Sequence, residues 1–263
     1  MGCGWLGFPL AKFLVEKGYS VRGTTTDKNK VPHLEASGIE PYLISLEENE
    51  IKGPVNSFLN GMEAIVINIP PGLRGGENSN YVQKIKMLHE QIRPLGVRKV
   101  IFVSSTSVYG AVSGNVTEET PPMPASESGR QLLQVEDLFS KDENLKSTIV
   151  RFGGLIGPER HPVRFLSGRK GLKNGHHPVN LIHLEDCLSL LITILEKDWW
   201  GCIFNGVFPE HPLKQDYYRV EAEKKGLQPP GYSDESGPLP GKTVDSTALA
   251  TRGFTFSKGI WSK

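Results

Sequence analysis

A cluster of hydroxyl side chains follows an apolar segment near the middle of the chain. Residues 103–110 read VSSTSVYG and carry Ser104, Ser105, Thr106 and Tyr109 directly after the run RKVIFV. Hydroxyl groups donate and accept hydrogen bonds, so they can hold a polar ligand, or move a proton when a partner group activates them. Ligands of open α/β sheets bind outside the carboxyl ends of the strands. The pattern therefore predicts a site here, with an ordinary serine-rich turn as the alternative.

A second candidate site begins at the second residue. Residues 2–7 read GCGWLG, the G-x-G-x-x-G pattern of a dinucleotide-binding turn. The first glycine permits the tight turn, the second lets the backbone approach a pyrophosphate, and the third lets a helix pack on a strand. The phosphates then lie at a helix N-terminus, whose dipole favours negative charge. We assign cofactor binding to the whole motif: Gly2, Cys3, Gly4, Trp5, Leu6 and Gly7.

The strand that normally precedes this motif has no counterpart in the sequence, because Met1 alone comes before Gly2. We expect that a strand of about five to seven residues precedes Gly2 in the natural protein, as the architecture of the motif requires. The alternative is that the turn lacks its anchor and binds no nucleotide.

The elements around both sites follow an alternating order. Residues 8–17 have helical spacing and are followed by Gly18, whereas residues 98–105 form a nearly continuous apolar run typical of a buried strand. Further strands are predicted at 19–25, 39–44, 63–69, 147–152, 179–183 and 202–207, and further helices at 79–95, 127–140, 185–197 and 212–225. This order predicts an α/β fold, a Rossmann-type doubly wound parallel sheet lacking its first strand, with a smaller mixed C-terminal lobe.

We place the dinucleotide-binding region at 1–155 and the substrate-side lobe at 156–263, interleaved with the first rather than independent. Residues 228–242 are rich in proline and glycine and are interpreted as a cover or linker.

The end of the second predicted strand bears on the choice of cofactor. An acidic residue there would bind the ribose 2′-hydroxyl of NAD. Thr25 stands at that position, flanked by Thr24, Thr26 and Lys28, with Arg22 nearby. A basic, hydroxyl-rich pocket tolerates a 2′-phosphate, so we favour NADP slightly over NAD. In the alternative, Asp27 takes the ribose.

Four segments in this order resemble a known family: the glycine motif, SSTSVYG, residues 151–158 (RFGGLIGP) and residues 180–186 (NLIHLED). The chain resembles the extended short-chain dehydrogenases/reductases, and among them atypical members of the NAD-dependent epimerase/dehydratase group. The resemblance covers nearly the whole chain. It implies hydride transfer between NAD(P) and a small polar or nucleotide-sugar-like substrate. The alternative is a dinucleotide-binding sensor or interaction module without catalysis.

The catalytic residues implied by the resemblance depart from the family pattern. The family uses a Tyr-x-x-x-Lys pair on the helix after the serine-rich strand, and here those positions fall on Ser128 and Leu132. Serine is a poor acid or base without an activating partner, and leucine carries no charge. Ser105 or Thr106 matches the family's catalytic hydroxyl, and Tyr109 is the nearby phenol that could replace the tyrosine.

The same resemblance places further contacts around the cofactor. Ile69, Pro70 and Pro71 follow a strand where the family's backbone passes the adenosine, and the prolines, which lack N–H donors, fit there as a wall. Ser104 completes the predicted cofactor-binding set. On the substrate side, Arg160 can grip a phosphate or carboxylate in a bidentate way, with His161 beside it; a surface salt bridge is the alternative for Arg160.

Composition excludes several classes of partner. The chain has 30 Lys and Arg against 29 Asp and Glu, so no global charge steers it toward nucleic acid or a membrane. Its 3 cysteines suit a reducing cytoplasm, or an organellar stroma or matrix if a targeting segment has been lost. The spacing of histidines and cysteines suggests no metal site. We expect a small-molecule substrate and allow for a homodimer.

Overall fold

The computed structural model describes residues 1–72, 80–233 and 241–262. The strands are β1 Arg22–Thr25, β2 Glu40–Leu43, β3 Ser45–Leu46, β4 Ile51–Lys52, β5 Ala64–Ile67, β6 Lys99–Ser105, β7 Gly114–Val116, β8 Lys146–Phe152, β9 Gly154–Ile156, β10 Leu181–His183, β11 Ile203–Gly206 and β12 Lys242–Val244. The α-helices are α1 Gly7–Glu16, α2 Val31–Ala36, α3 Val55–Leu59, α4 Tyr81–Ile92, α5 Glu127–Ser140, α6 Val163–Leu166, α7 Leu184–Glu196, α8 Lys214–Lys224 and α9 Thr247–Thr251. Short 3₁₀ turns cover Lys28–Lys30 and Thr106–Tyr109.

The glycine motif leads into α1 as predicted. The apolar face of α1 buries Leu10 and Ala11, and Ala11 belongs to a small core with Leu34 and Ile39. Gly18 then reverses the chain with a φ of 88°, a conformation that glycine adopts without steric cost. The helix therefore ends where the sequence indicates.

Parallel pairing organises the sheets. β1 pairs with β2, and β5 pairs with β6 with Ala64 opposite Lys99. The four-stranded sheet has the order β11-β8-β6-β5. Three consecutive residues of β6, Val100, Ile101 and Phe102, are fully buried, which fits a strand covered on both faces. The fold is Rossmann-type α/β, as predicted.

A groove lies between β1 and β5, which are not hydrogen-bonded to each other. It is a cavity of about 420 Å³ whose lining includes Arg22 and Val66. Residues 1–3 bridge its end: the Met1 ammonium donates to the Val66 carbonyl, the Asn68 N–H donates to Met1, and the Cys3 N–H donates to Thr24. Burial lowers the pKa of the Met1 ammonium.

The chain divides into two compact units. The first comprises residues 1–104, 126–150 and 191–203, and the second comprises residues 105–125, 151–190 and 204–263. In the second unit β7 pairs with β12 and β9 with β10, both in parallel. The boundary predicted at residue 155 stays a prediction.

Several element bounds differ from the sequence-based ones for local reasons. The helix expected at 79–95 begins at Tyr81, because the Asn80 side chain caps it by accepting from the Gln83 N–H, and it ends before Pro94. The helix expected from Pro212 begins at Lys214, because Leu213 is extended. Residue 79, and residues 234–240 of the predicted loop, lie outside the described residues. Across the described ranges, no helix has the length and apolarity needed to cross a membrane.

Candidate functional site

The glycine turn forms one wall of a cavity of about 330 Å³ in the first unit. The end of β1 and the segment after β5 form two further walls, and Tyr81 and Lys84 at the start of α4 contribute to a fourth. Of the predicted cofactor-binding residues, nine line this cavity: Gly2, Cys3, Gly4, Thr24, Thr25, Thr26, Ile69, Pro70 and Pro71. Three separate parts of the sequence therefore meet at the site predicted for a dinucleotide.

Each motif glycine has a different environment. A Cβ on Gly2 would lie 2.6 Å from the Asn68 oxygen, and one on Gly7 would lie 2.1 Å from the Gly2 oxygen. Gly4 has nothing within 4 Å of its ideal Cβ position, and it is exposed. Gly2 and Gly7 thus keep the turn tightly packed, whereas Gly4 leaves open space beside the cavity.

The threonines at the end of β1 differ in what their hydroxyls do. The Thr24 hydroxyl accepts from the Gly2 N–H at 2.9 Å, which fastens the glycine turn to the strand. The Thr25 hydroxyl accepts from the Asp27 N–H at 3.1 Å. Thr26 is exposed at the cavity. Thr26 is therefore the exposed threonine of the three, and a contact between its side chain and a cofactor stays a prediction.

The basic side chains near this cavity are not those expected from the sequence. Lys30 and Lys84 line it, whereas Lys28 does not. Arg22 instead donates to Glu40 and to three carbonyls at the end of α3. Lys30 was a detectable candidate, because it follows Lys28 by two residues in the same turn. Lys84 comes from α4, which is distant along the sequence, and no local sequence pattern indicated that it lines the cavity.

Asp27, the alternative ribose-binding acid, is not part of the cavity lining. Its carboxylate accepts from the Asn29 N–H at 2.9 Å and caps the 3₁₀ turn. No Asp or Glu within the described part of the chain lines the cavity. The surroundings are therefore neutral to positive.

Four of the residues predicted to contact the cofactor do not line this cavity. Trp5, Leu6 and Gly7 are not part of the cavity lining, and Leu6 is buried. Ser104 is buried and donates its hydroxyl proton to Glu136 at 2.5 Å. A cofactor-binding role for these four residues, and for Lys28, stays a prediction.

Ser104 and Ser105 are the last two residues of β6; Ser104 belongs to the first unit, whereas Ser105, Thr106 and Tyr109 belong to the second. The Ser105 hydroxyl accepts from the Ser107 N–H at 3.2 Å and caps the turn Thr106–Tyr109. The Lys242 ammonium holds the same turn by donating to the Thr106 carbonyl at 2.9 Å and the Gly110 carbonyl at 2.8 Å. The Ser105 side chain and the Lys242 ammonium thus both hold the turn Thr106–Tyr109 in place.

Tyr109 lies in the interior of the second unit. Its hydroxyl donates to Asn205 at 2.9 Å and accepts from Arg151 at 2.8 Å, and the side chain is fully buried. Burial raises the pKa of the phenol. Arg151 and Lys242 also approach its ring, at 4.9 and 5.9 Å from the centroid. These contacts are those of a packing residue, and a catalytic role for Tyr109 stays a prediction.

The positions assigned to the family's tyrosine and lysine lie on α5. Leu132 is 5% exposed and packs into the core, while Ser128 is half-buried. The helix begins where Ser126 accepts from the Gly129 N–H, so Ser128 lies in its first turn. Leu132 cannot lower the pKa of any neighbour, and the catalytic role of Ser128 stays a prediction.

The two predicted substrate residues have different surroundings. Arg160 is exposed in a tight turn in which its backbone pairs with Gly157. His161 is buried: its Nδ1 accepts from the Val163 N–H, and its Nε2 lies 2.9 Å from the Tyr217 hydroxyl and 3.4 Å from Glu221. Tyr217 in turn donates to the Ile260 carbonyl. His161 therefore joins a buried network, and substrate binding by either residue stays a prediction.

Burial lowers the pKa of His161 to about 4, although the Glu221 carboxylate opposes the shift. The unfolded chain takes up this proton near pH 6.5, whereas the folded protein stays neutral until about pH 4, so the contribution of His161 to stability falls over that interval. We expect the free energy of unfolding of the wild type, relative to His161→Gln, to decline from pH 6.5 to 4 in denaturant titrations. A pH-independent difference between the two proteins would contradict this.

Comparison with known proteins shows the family to which the chain belongs. A family model described as NAD(P)H-binding matches residues 2–188. The chain belongs to the NAD(P)H-binding family. The prediction of an NAD(P) cofactor is thereby confirmed. The resemblance to the short-chain dehydrogenase/reductase and epimerase/dehydratase proteins is confirmed for the fold, which solved proteins of those kinds share with this chain.

Relatives of this NAD(P)H-binding protein match over nearly its whole length. It is 34% identical to the protein YeeZ of Escherichia coli K12 over 259 residues, which is 97% of this chain and 94% of YeeZ. A functionally unknown conserved protein from Silicibacter pomeroyi has a TM-score of 0.74 at 26% identity, with 95% of this chain and 89% of that one covered. The NAD complex of UDP-glucuronic acid 4-epimerase from Bacillus cereus has a TM-score of 0.78 at 19% identity. The superposition covers 98% of this chain and 90% of the epimerase, so the two proteins share the fold.

Proposed function

We propose that this NAD(P)H-binding protein is an NADP(H)-dependent oxidoreductase of the epimerase-like type, acting on a small polar or nucleotide-sugar-like substrate. The observation that carries the proposal is the cavity beside the glycine turn, where Thr26, Lys30 and Lys84 are present and no acid lines the wall within the described residues. The Bacillus cereus enzyme of the same fold is an epimerase of UDP-glucuronic acid, which supports the substrate class. A homodimer is part of the proposal.

The residues at the cavity fit the cofactor. Gly4 leaves room for the backbone to meet a pyrophosphate, and the first turn of α1 has no acidic residue to compete for the positive end of the helix. The Lys30 and Lys84 ammonium groups and the Thr26 hydroxyl supply donors suited to a 2′-phosphate. When bound, the cofactor supplies hydride chemistry.

The chain must also orient the substrate and move a proton. The Ser105 hydroxyl accepts from a backbone N–H and keeps its own proton to donate, so we propose Ser105, with Thr106 as the neighbouring alternative, as the group that binds a substrate oxygen. We propose the Ser128 hydroxyl as a second group for the same reaction. Leu132 stands at the position of the lysine that activates a family tyrosine, so that activation is not available to Ser128.

Replacing Lys30 with glutamine tests the NADP preference. We expect Lys30→Gln to weaken NADPH binding about tenfold or more, because a charge-assisted hydrogen bond to the 2′-phosphate is lost. NADH, which lacks that phosphate, should bind Lys30→Gln as it binds the wild type. The measurement is titration of each cofactor against intrinsic fluorescence, to which Trp5 in the motif contributes.

Lys28→Gln is the matched control, since Lys28 lies in the same turn, is exposed and does not line the cavity. It removes the same charge, so a nonspecific electrostatic effect would appear in both variants. Equal losses of NADPH affinity in the two variants, or wild-type affinity in Lys30→Gln, would contradict the assignment.

A second candidate function is dinucleotide binding without catalysis, as a sensor or interaction module. The observation that favours it is the buried Leu132 at the position where the family has a catalytic lysine. Two assays separate the functions: oxidation of NADPH in the presence of aldehydes and ketones, followed by absorbance, and interconversion of nucleotide sugars with NADP present, followed by chromatography. Turnover by the wild type that Lys30→Gln impairs at limiting NADPH supports the oxidoreductase, whereas tight NADPH binding with no turnover favours the module.

A further inference from the structure

A second cavity, of about 550 Å³, lies entirely within the second unit. Its walls are residues 110–112 after the 3₁₀ turn, residues 177–181 before and within β10, the start of α8, and Gly241 with Lys242. None of these residues belongs to the glycine-turn cavity. The function of this cavity must therefore be explained separately from binding at the glycine turn.

The charged side chains that line this cavity, among the residues that the structure describes, are positive. Lys214 and Lys242 both line it, both are about half-buried, and burial lowers the pKa of each. Among the residues that the structure describes, no Asp or Glu lines the cavity, and the Lys214 ammonium has no hydrogen bond or ion pair. A partly desolvated ammonium without a partner is unfavourable, and an anion relieves that cost.

The backbone around Lys214 is already satisfied. The Lys214 N–H donates to the His177 carbonyl at 2.9 Å, and the Gln215 N–H donates to the Gly175 carbonyl at 2.9 Å. These two backbone N–H groups at the N-terminus of α8 are therefore unavailable to a ligand. The dipole of the 11-residue helix still adds to the positive potential, so the side chain of Lys214 is the binding group.

The opposite wall is held rigidly. The Asn180 side chain donates to the Lys242 carbonyl at 2.9 Å and accepts from the Val244 N–H at 2.7 Å. The Lys242 ammonium uses two of its three donors on the Thr106 and Gly110 carbonyls. A Cβ on Gly241, whose φ is +80°, would lie 2.8 Å from the His177 ring. This wall thus keeps its shape without a ligand.

We propose that this cavity binds the phosphate or carboxylate group of an organic anion through the Lys214 ammonium, with Lys242 supplying a second positive charge. The proposal concerns the second unit alone and does not depend on which dinucleotide the first unit binds. An anion there would pair with the Lys214 ammonium and favour its charged form.

Site-resolved nuclear magnetic resonance tests the proposal on the full chain. Protein with ¹³C-labelled lysine is titrated at constant ionic strength with inorganic phosphate and, separately, with acetate, and the Lys214 Cε signal is assigned as the one missing from Lys214→Gln. We expect a saturable shift of the Lys214 and Lys242 signals with at least one anion, and the anion that binds more tightly identifies the group. In Lys214→Gln the response of Lys242 should weaken about tenfold or more.

Lys170 provides the control, because it is exposed in the same unit and does not line the cavity. Its signal, assigned from Lys170→Gln, should drift without saturating, and Lys170→Gln should leave the Lys214 response unchanged. Lys214→Arg, which keeps the charge, should retain binding. If the Lys214 signal follows that of Lys170 in both titrations, or if Lys242 responds equally in Lys214→Gln, the proposal is overturned.

Discussion

Gly4→Ala should weaken NADPH binding at least about tenfold and leave the protein as stable as the wild type. The added methyl meets no protein atom within 4 Å, so the turn keeps its conformation, and an exposed substitution of this kind changes stability by about 0.5 kcal/mol or less. The same methyl occupies the space through which the backbone approaches the pyrophosphate, and the lost hydrogen bonds to a charged group account for the tenfold loss. Fluorescence titration and thermal unfolding measure the two effects on the same samples.

Gly7→Ala is the matched comparison, because it adds the same methyl three residues later. There the Cβ would lie 2.1 Å from the Gly2 oxygen, so the turn must shift, at a cost of about 1–3 kcal/mol of stability. Loss of NADPH binding with unchanged stability in Gly4→Ala, against loss of stability in Gly7→Ala, distinguishes contact with the ligand from packing of the turn. Wild-type NADPH affinity in Gly4→Ala would exclude the glycine turn as the pyrophosphate site.

The sequence predicted the helix and strand around the glycine turn well because the signals there are local. A glycine turn, the helix after it and the strand ending at Thr25 are set by backbone conformation and hydrophobic periodicity over a few residues. The choice between Lys28 and Lys30 could not be made in the same way. Both lie in one 3₁₀ turn, and which of them faces the cavity depends on a turn geometry that the capping by Asp27 establishes.

The buried polar groups of the second unit were the least predictable part. His161 was expected to face a substrate, yet it contacts Tyr217 and Glu221, which are 56 and 60 positions further along the chain. Tyr109 likewise meets Asn205 across 96 positions. Such partners are brought together by tertiary packing, and neither spacing nor residue type reveals them. The positive cavity at Lys214 was missed for the same reason, since its walls come from four separated segments.

Asp186 lies in the first turn of α7, where the helix dipole favours negative charge. The structure adds a stronger reason: the fully buried carboxylate accepts from the Ser257 N–H at 2.7 Å, the Ser257 hydroxyl at 2.9 Å and the Lys258 N–H at 3.1 Å. Asp186 thereby fixes a segment of chain 71 positions away.

Asp186→Ala should therefore lower the free energy of unfolding by about 3 kcal/mol, because it leaves three donors without their charged acceptor. Glu185→Ala is the control: the neighbouring carboxylate is 54% exposed and pairs with the Lys258 ammonium at 3.2 Å, a surface contact that contributes about 1 kcal/mol or less. Urea denaturation of both variants measures the two losses. Similar losses in both would mean that helix-dipole stabilisation, which the two acids share, outweighs the hydrogen bonds that only Asp186 makes.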